Sequence, residues 1–248
     1  MSVFCCPSEI TVGGVALGGR AIVLSSSNLY QYWTAVLPLN EEGSLDENNY
    51  QDLSGNDHHG TSLGAIARKV PGVYCQDATR FTGHGIVIDY DDLDTSNFSF
   101  SALVKIDPGR FDSTIFSLND FFCFGVSFLK HWRIQYLSLE NDTPKNFTVW
   151  GSDTVEENEW LLVGLSYDGS QLKIYLNGEL QETIEMILYN EELVSVSAAT
   201  ETNLGNGRLL SVRGHKGCLQ EVRISDQVVP DSIFALDFFN LTNCSFII

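Results

Sequence analysis

Trp160-Leu-Leu-Val-Gly-Leu-Ser-Tyr-Asp-Gly-Ser-Gln-Leu-Lys-Ile-Tyr-Leu-Asn-Gly178 decides the fold class. Trp160 to Tyr167 is almost continuously apolar, the pattern of a central strand. Trp160 is expected to anchor the core from the start of that strand. Tyr167-Asp-Gly-Ser170 is a turn. Beyond it Leu172, Ile174 and Leu176 alternate with Gln171, Lys173 and Tyr175, so the second set is expected to face solvent. Asn177-Gly178 then closes a two-residue hairpin, because both residue types tolerate positive φ. The returning strand carries Leu180, Ile184 and Met186.

The same period of two spreads outward. Phe98, Phe100, Ala102, Val104 and Ile106 share one strand face, as do Phe122, Phe124, Val126 and Phe128. Trp132, Ile134 and Tyr136 repeat it, and Val222 and Ile224 form a short strand near the end. Helical signals are sparse. Pro230 to Phe239 suits one short helix, with Asp231 or Ser232 near its start. Many short strands separated by turn signals predict an all-β sandwich or barrel over residues 29–248. Residues 1–28 read differently. Thr11-Val-Gly-Gly-Val-Ala-Leu-Gly-Gly19 is apolar and glycine-rich, and Ser25-Ser-Ser-Asn28 follows it, so the segment predicts an N-terminal arm that lies on its own sandwich or on a neighbouring subunit.

Composition bounds the function. Of 248 residues, 44% are hydrophobic and 19% charged, enough for a sizeable core. Lys and Arg total 14 against 32 Asp and Glu, a net charge of −18. Such a body repels nucleic-acid backbones and anionic membranes, so neither is expected as a partner. No apolar run reaches the roughly 18 residues of a membrane helix, and Met1 to Arg20 lacks the pattern of a secretory signal. The six cysteines, Cys5, Cys6, Cys75, Cys123, Cys218 and Cys244, include no Cys-x-x-Cys pair. They read as mostly thiols, partly buried, rather than a zinc site or a disulfide scaffold.

Several segments, in order, resemble the concanavalin A-like lectin/glucanase superfamily, and within it the laminin G-like branch. Tyr32-Trp-Thr-Ala-Val-Leu-Pro-Leu-Asn40 and Asp52-Leu-Ser-Gly-Asn-Asp-His-His-Gly60 resemble its opening strand and glycine loop. Arg80-Phe-Thr-Gly-His-Gly-Ile-Val-Ile88 and Phe98 to Ile106 resemble two further strands, with Leu103 where the family usually has Trp. Trp160 to Gly178 and Gly217-Cys-Leu-Gln-Glu-Val-Arg-Ile224 complete the set. The resemblance implies a jelly roll of two antiparallel sheets packed face to face.

The superfamily includes glycoside hydrolases, and retaining ones need two carboxylates about 5–5.5 Å apart. No Glu-x-Asp-x-x-Glu pattern occurs, and Glu156-Glu157-Asn-Glu159 sits in a loop, so no catalytic residue is expected. The resemblance also implies a calcium site between the glycine loop and the last strand, which would draw on Asp52, Asn56, Asp57 and Glu221. Gln220 replaces its first acidic position. Asp52 and Asn56 equally suit turn capping through side-chain to backbone bonds. Asp89-Tyr-Asp-Asp-Leu-Asp94 is a second acidic cluster, and His58 and His59 are expected in an exposed loop. Calcium is the one cofactor these residues suggest, and none is required. Trp132, Tyr136 and Trp150, with Tyr74 and Tyr90, are the aromatic candidates for stacking on a sugar.

Organisation and resemblance together point to a non-enzymatic structural or attachment protein of a larger assembly, a virion decoration, tail or fibre component. Its partners would be other subunits met through residues 1–28. The alternative is a carbohydrate-binding module or adhesin, calcium-assisted, that meets a cell-surface glycan. The location follows the reading: the virion for the first, the cell surface or the extracellular space by assembly for the second.

Overall fold

A computed structural model describes residues 30–41, 49–63, 68–73, 76–90, 96–109, 112–118, 121–140, 143–186, 202–205 and 213–242. The arm at 1–28, Tyr74, Asp91 to Asp94, and Cys5, Cys6, Cys75 and Cys244 lie outside these residues. After a 3₁₀ turn at Tyr30–Tyr32 come β1 (Ala35–Leu37), β2 (Gly60–Ser62), β3 (Arg68–Pro71), β4 (Asp77–Thr82), β5 (Ile86–Ile88) and β6 (Phe98–Ile106). Next are β7 (Ser113–Leu118), β8 (Phe122–Val126), β9 (His131–Glu140), β10 (Thr143–Thr154), β11 (Trp160–Tyr167) and β12 (Gln171–Leu176). The chain continues through β13 (Glu179–Glu185), β14 (Thr202–Leu204), β15 (Arg213–Gly214), β16 (Lys216–Ser225) and the helix α1 (Asp231–Thr242).

The strands form two sheets. The first runs β13-β12-β11-β6-β16-β4-β3, with β1 also paired to β16, and the second runs β10-β9-β8-β7-β14-β5-β2, with β15 beside β7. Neighbours pair antiparallel, except that the two residues of β15 run parallel to β7. Asn177 and Gly178 both take positive φ, 50° and 82°, as the hairpin between β12 and β13 demands. The expected jelly-roll sandwich is therefore the observed architecture.

The core fills the gap between the sheets. Phe98, Phe100, Ala102, Val104 and Ile106 point into it from β6, as their alternation predicts. Phe100 stacks on Phe116 at 4.4 Å between ring centroids, and Phe98 meets Phe122 edge-on at 5.0 Å. Phe128, assigned to this face from sequence, is 68% exposed because β8 ends at Val126 and the hairpin turns at Phe128.

The outer face of the first sheet is covered as well. Ser99 and Ser101 on β6 lie in register with Ser166 and Gly164 on β11, which makes a trough of small residues. The helix sits in it: a Cβ on Gly164 would lie 2.5 Å from the ring of Phe234. Phe234 stacks on Tyr175 at 4.1 Å, and Tyr175 donates its hydroxyl to Asp231 at 2.7 Å. Tyr175 thus does not face solvent as its alternation suggested. The expected helix is present and runs to Thr242, three residues past its predicted end. Among the described residues no helix is long and apolar enough to cross a membrane.

Candidate functional site

Beside α1, toward β3, the outer face of the first sheet carries a second feature. Arg80 on β4 pairs with Cys218 on β16, Cys218 with Lys105 on β6, and Lys105 with Trp160 on β11. Inward positions on these strands are Phe81, Leu219, Val104 and Val163, so alternation sends the other four outward. Adjacent strands lie about 4.8 Å apart, which makes the row roughly 14 Å long. It is the floor of an open groove of about 570 Å³, walled by Val70, Pro71, Asp107, Pro108 and Asn158. That volume lies within the roughly 300–1,000 Å³ of small-molecule sites.

Local sequence builds the walls. Asp107-Pro108-Gly109 turns the chain out of β6, with the Asp107 N–H donating to the Lys216 carbonyl at 3.1 Å. The Gly109 N–H donates to Glu157 Oε1 at 2.7 Å, which ties this turn to the loop before β11. Asn158 in that loop has φ 62°, a conformation Asn tolerates, and donates its N–H to the Ile106 carbonyl at 2.8 Å. Two loops distant in sequence thereby form one rim.

The groove carries mixed charge. Arg80 Nη2 lies 2.5 Å from Asp107 Oδ2. Among the described residues no carboxylate oxygen comes within ion-pair distance of the Lys105 ammonium. Burial pushes the Cys218 thiol up, with Arg80 pulling it down and Asp107 pushing it further up, so it stays protonated and serves as floor rather than nucleophile. Trp160 is half-buried, packed with Val73 and Phe238 on Leu103 and Leu162. It belongs to this outer cluster and not to the core it was expected to anchor.

The residues named from sequence fare differently. Trp132 is 2% exposed and stacks on Phe124, and Tyr136 is 1% exposed and stacks on Phe147. Both are core side chains, so the expectation that they contact sugar is corrected: their strand face is the one that meets the other sheet. Tyr90 is likewise buried, under His58. Trp150 is 45% exposed on the edge strand β10. Missed altogether were Arg80, Lys105 and Asn158. The one signal for them was the outward parity of Lys105 and Arg80 on strands whose other face was legible.

The calcium candidates are held in other roles. Asp52 Oδ1 accepts from the N–H groups of Val36 and Ser54 at 2.8 and 2.9 Å. Its Oδ2 accepts from the Ser54 hydroxyl and the His58 N–H at 2.6 and 3.1 Å. Asn56 donates to the Thr34 carbonyl at 2.8 Å. These are the turn-organising bonds that were the other reading of the loop. Asp57 is outward, its side chain 91% exposed, while Glu221 is buried 3.6 Å from Arg223. Among the described residues no three His, Cys, Asp or Glu side chains gather at metal-holding distance. His58 and His59 are half-buried rather than exposed, since His59 Nδ1 accepts from the Asp52 N–H at 3.0 Å.

A family model described as the concanavalin A-like lectin/glucanases superfamily matches residues 81–232, more than half of the chain. The chain belongs to that superfamily. Solved structures carry the same fold. The receptor-binding domain of botulinum neurotoxin C/D mosaic serotype superposes with a TM-score of 0.60 at 14% identity, over 85% of this chain and 52% of that one. The binding domain of Paraclostridial Mosquitocidal Protein 1 does so at 0.60 and 13% identity, over 85% and 52%. Domain 4 of AbnA, a GH43 extracellular arabinanase from Geobacillus stearothermophilus solved with arabinotriose, gives 0.55 at 20% identity, over 82% and 98%. This concanavalin A-like chain spans about half the length of the toxin binding domains it matches. No curated protein matches it by sequence.

Proposed function

We propose that this chain is a non-catalytic binding module and that the groove between Arg80 and Trp160 takes a saccharide. The observation that carries the reading is the place of Trp160: an indole out of the core, on the floor of a ligand-sized groove, with two cations beside it and Asp107 and Asn158 on the rim. A sugar ring has one apolar C–H face, which stacks on an aromatic surface, and a rim of hydroxyls that need hydrogen-bond partners. The arabinotriose complex of the AbnA domain shows that this fold can carry such a ligand. Catalysis is disfavoured because, among the described residues, Asp107 is the one carboxylate lining the groove and Arg80 engages it, where a retaining glycosidase needs a free pair.

The test is a glycan array followed by titration calorimetry on the hits. Trp160→Ala will weaken binding by at least about tenfold, the loss of roughly 1.4 kcal/mol of stacking, with a cooperative melt retained. Equal binding by wild type and variant would remove the groove as the site.

We further propose that the module is carried as the attachment subunit of a larger assembly, a virion component, through residues 1–28. The apolar, glycine-rich Thr11 to Gly19 beside a body of charge −18 supports this reading. Native mass spectrometry should show an oligomer that deletion of residues 1–28 converts to monomer. A full-length monomer, with mass per chain and stability indifferent to the deletion, would sink it.

A further inference from the structure

Acidic side chains outnumber basic ones 32 to 14 in this chain. Cations should therefore be easy to pair, yet Lys105, a half-buried residue on the groove floor, has no carboxylate at ion-pair distance from its ammonium among the described residues. Arg80 lies on the same outward row, one strand beyond Cys218, and Asp107 offsets its charge. Lys105, Arg80 and Asp107 together leave the floor one positive charge in excess, on a molecule of net charge −18.

We infer that the groove recognises a saccharide bearing a single anionic substituent, a carboxylate or a sulfate, held by Lys105 while the ring lies against Trp160. This rests on the saccharide reading of the same groove. The register supports it, because Lys105 and Trp160 are direct cross-strand neighbours, so one sugar residue can meet both. Asp107 fixes Arg80 to one side, which limits the anion site to Lys105 and the outer part of the guanidinium. The strongly acidic body selects further. It repels polyanions at long range, so a ligand with one acidic group in an otherwise neutral chain fits better than a uniformly charged polymer.

The test uses the full chain and three probes of one backbone: a trisaccharide ending in glucuronic acid, its methyl ester, and an otherwise neutral trisaccharide carrying one sulfate. Calorimetry should show at least one charged probe binding about ten- to hundredfold more tightly than the ester. The tighter of the two names the anion. Lys105→Gln should erase that preference, leaving all three at the affinity of the ester, and Lys105→Arg should keep most of it. Equal binding of ester and charged probes, or a preference that survives Lys105→Gln, overturns the anionic subsite and leaves the saccharide reading standing. Failure of all three probes, together with a blank glycan array, overturns both.

Discussion

Replacing Arg223 with Leu will lower the unfolding free energy by about 3–5 kcal/mol. The guanidinium is 1% exposed under α1, with Nη1 2.6 Å from Asp237 Oδ1 and Nη2 3.6 Å from Glu221 Oε2. Asp237 is fully buried and Glu221 is 4% exposed. Burial holds both carboxyls above the usual carboxylate range, and Arg223 pulls each of them back down. Without it two acidic groups remain in a dry space. A carboxyl whose folded pKa exceeds its unfolded value stabilises the fold at low pH and loses that contribution as pH rises through the folded pKa. Arg223→Leu should therefore regain part of its lost stability as pH falls from neutral toward 5. Urea unfolding of the variant at the two pH values measures this. A triple variant that also carries Glu221→Gln and Asp237→Leu should recover most of the loss, since a buried ion cluster often exchanges for apolar packing at little net change. A single variant as stable as wild type would show that the cluster does not hold the helix.

His215 sets a second, opposite pH dependence. The imidazole is fully buried, against Phe81 and with Nδ1 3.4 Å from the Ser113 hydroxyl. Burial pushes it down to about 4 from an ordinary 6.5, with backbone contacts at Cys218 and Lys105 pulling the other way by less. The unfolded chain then binds a proton between pH 6.5 and 4 that the folded chain refuses, so stability falls as pH drops through that window. At pH 4.5 the loss reaches about 2–3 kcal/mol relative to pH 7.5. The protein's many carboxylates titrate in the same range, so the effect is read as a difference: wild type should lose about that much more than His215→Gln between the two pH values. Parallel curves for the two proteins would refute a neutral buried imidazole. His215 immediately precedes the groove strand β16, and the backbones of Cys218 and Lys105, two residues that line the groove, face its imidazole. Acid loosening at His215 is thus expected to reach the groove floor before the rest of the sandwich.

The strand positions and the turns at Tyr167-Asp-Gly and Asn177-Gly were legible from particular residues. Phe98 to Ile106 alternates apolar residues with Ser99, Ser101 and Lys105, and Asn177-Gly178 can close only a tight turn of one hand. The helix was legible from Pro230 and Asp231. Asp52 as a turn organiser was legible too, because an Asp followed by Ser-Gly-Asn has local N–H groups within reach. The aromatic candidates were not. Trp132 and Tyr136 alternate as a strand face, but alternation says only that they share a side, and that side proved to be the core.

Period two and turn chemistry by themselves determined that the chain is all-β, a sandwich or a barrel, with one short helix. They rest on local sterics and on the need of each strand to bury one face. Which face of β11 looks inward was settled only in three dimensions. Both of its faces are apolar, Leu161, Val163 and Leu165 on one and Trp160 and Leu162 on the other, so the pattern carries no direction. Pairing with β6 and packing of Phe234 on Gly164 chose it, and that choice put Trp160 outside, beside Lys105. The groove, the ion cluster under α1 and the buried His215 all depend on contacts between residues distant in the chain. No local pattern encodes them.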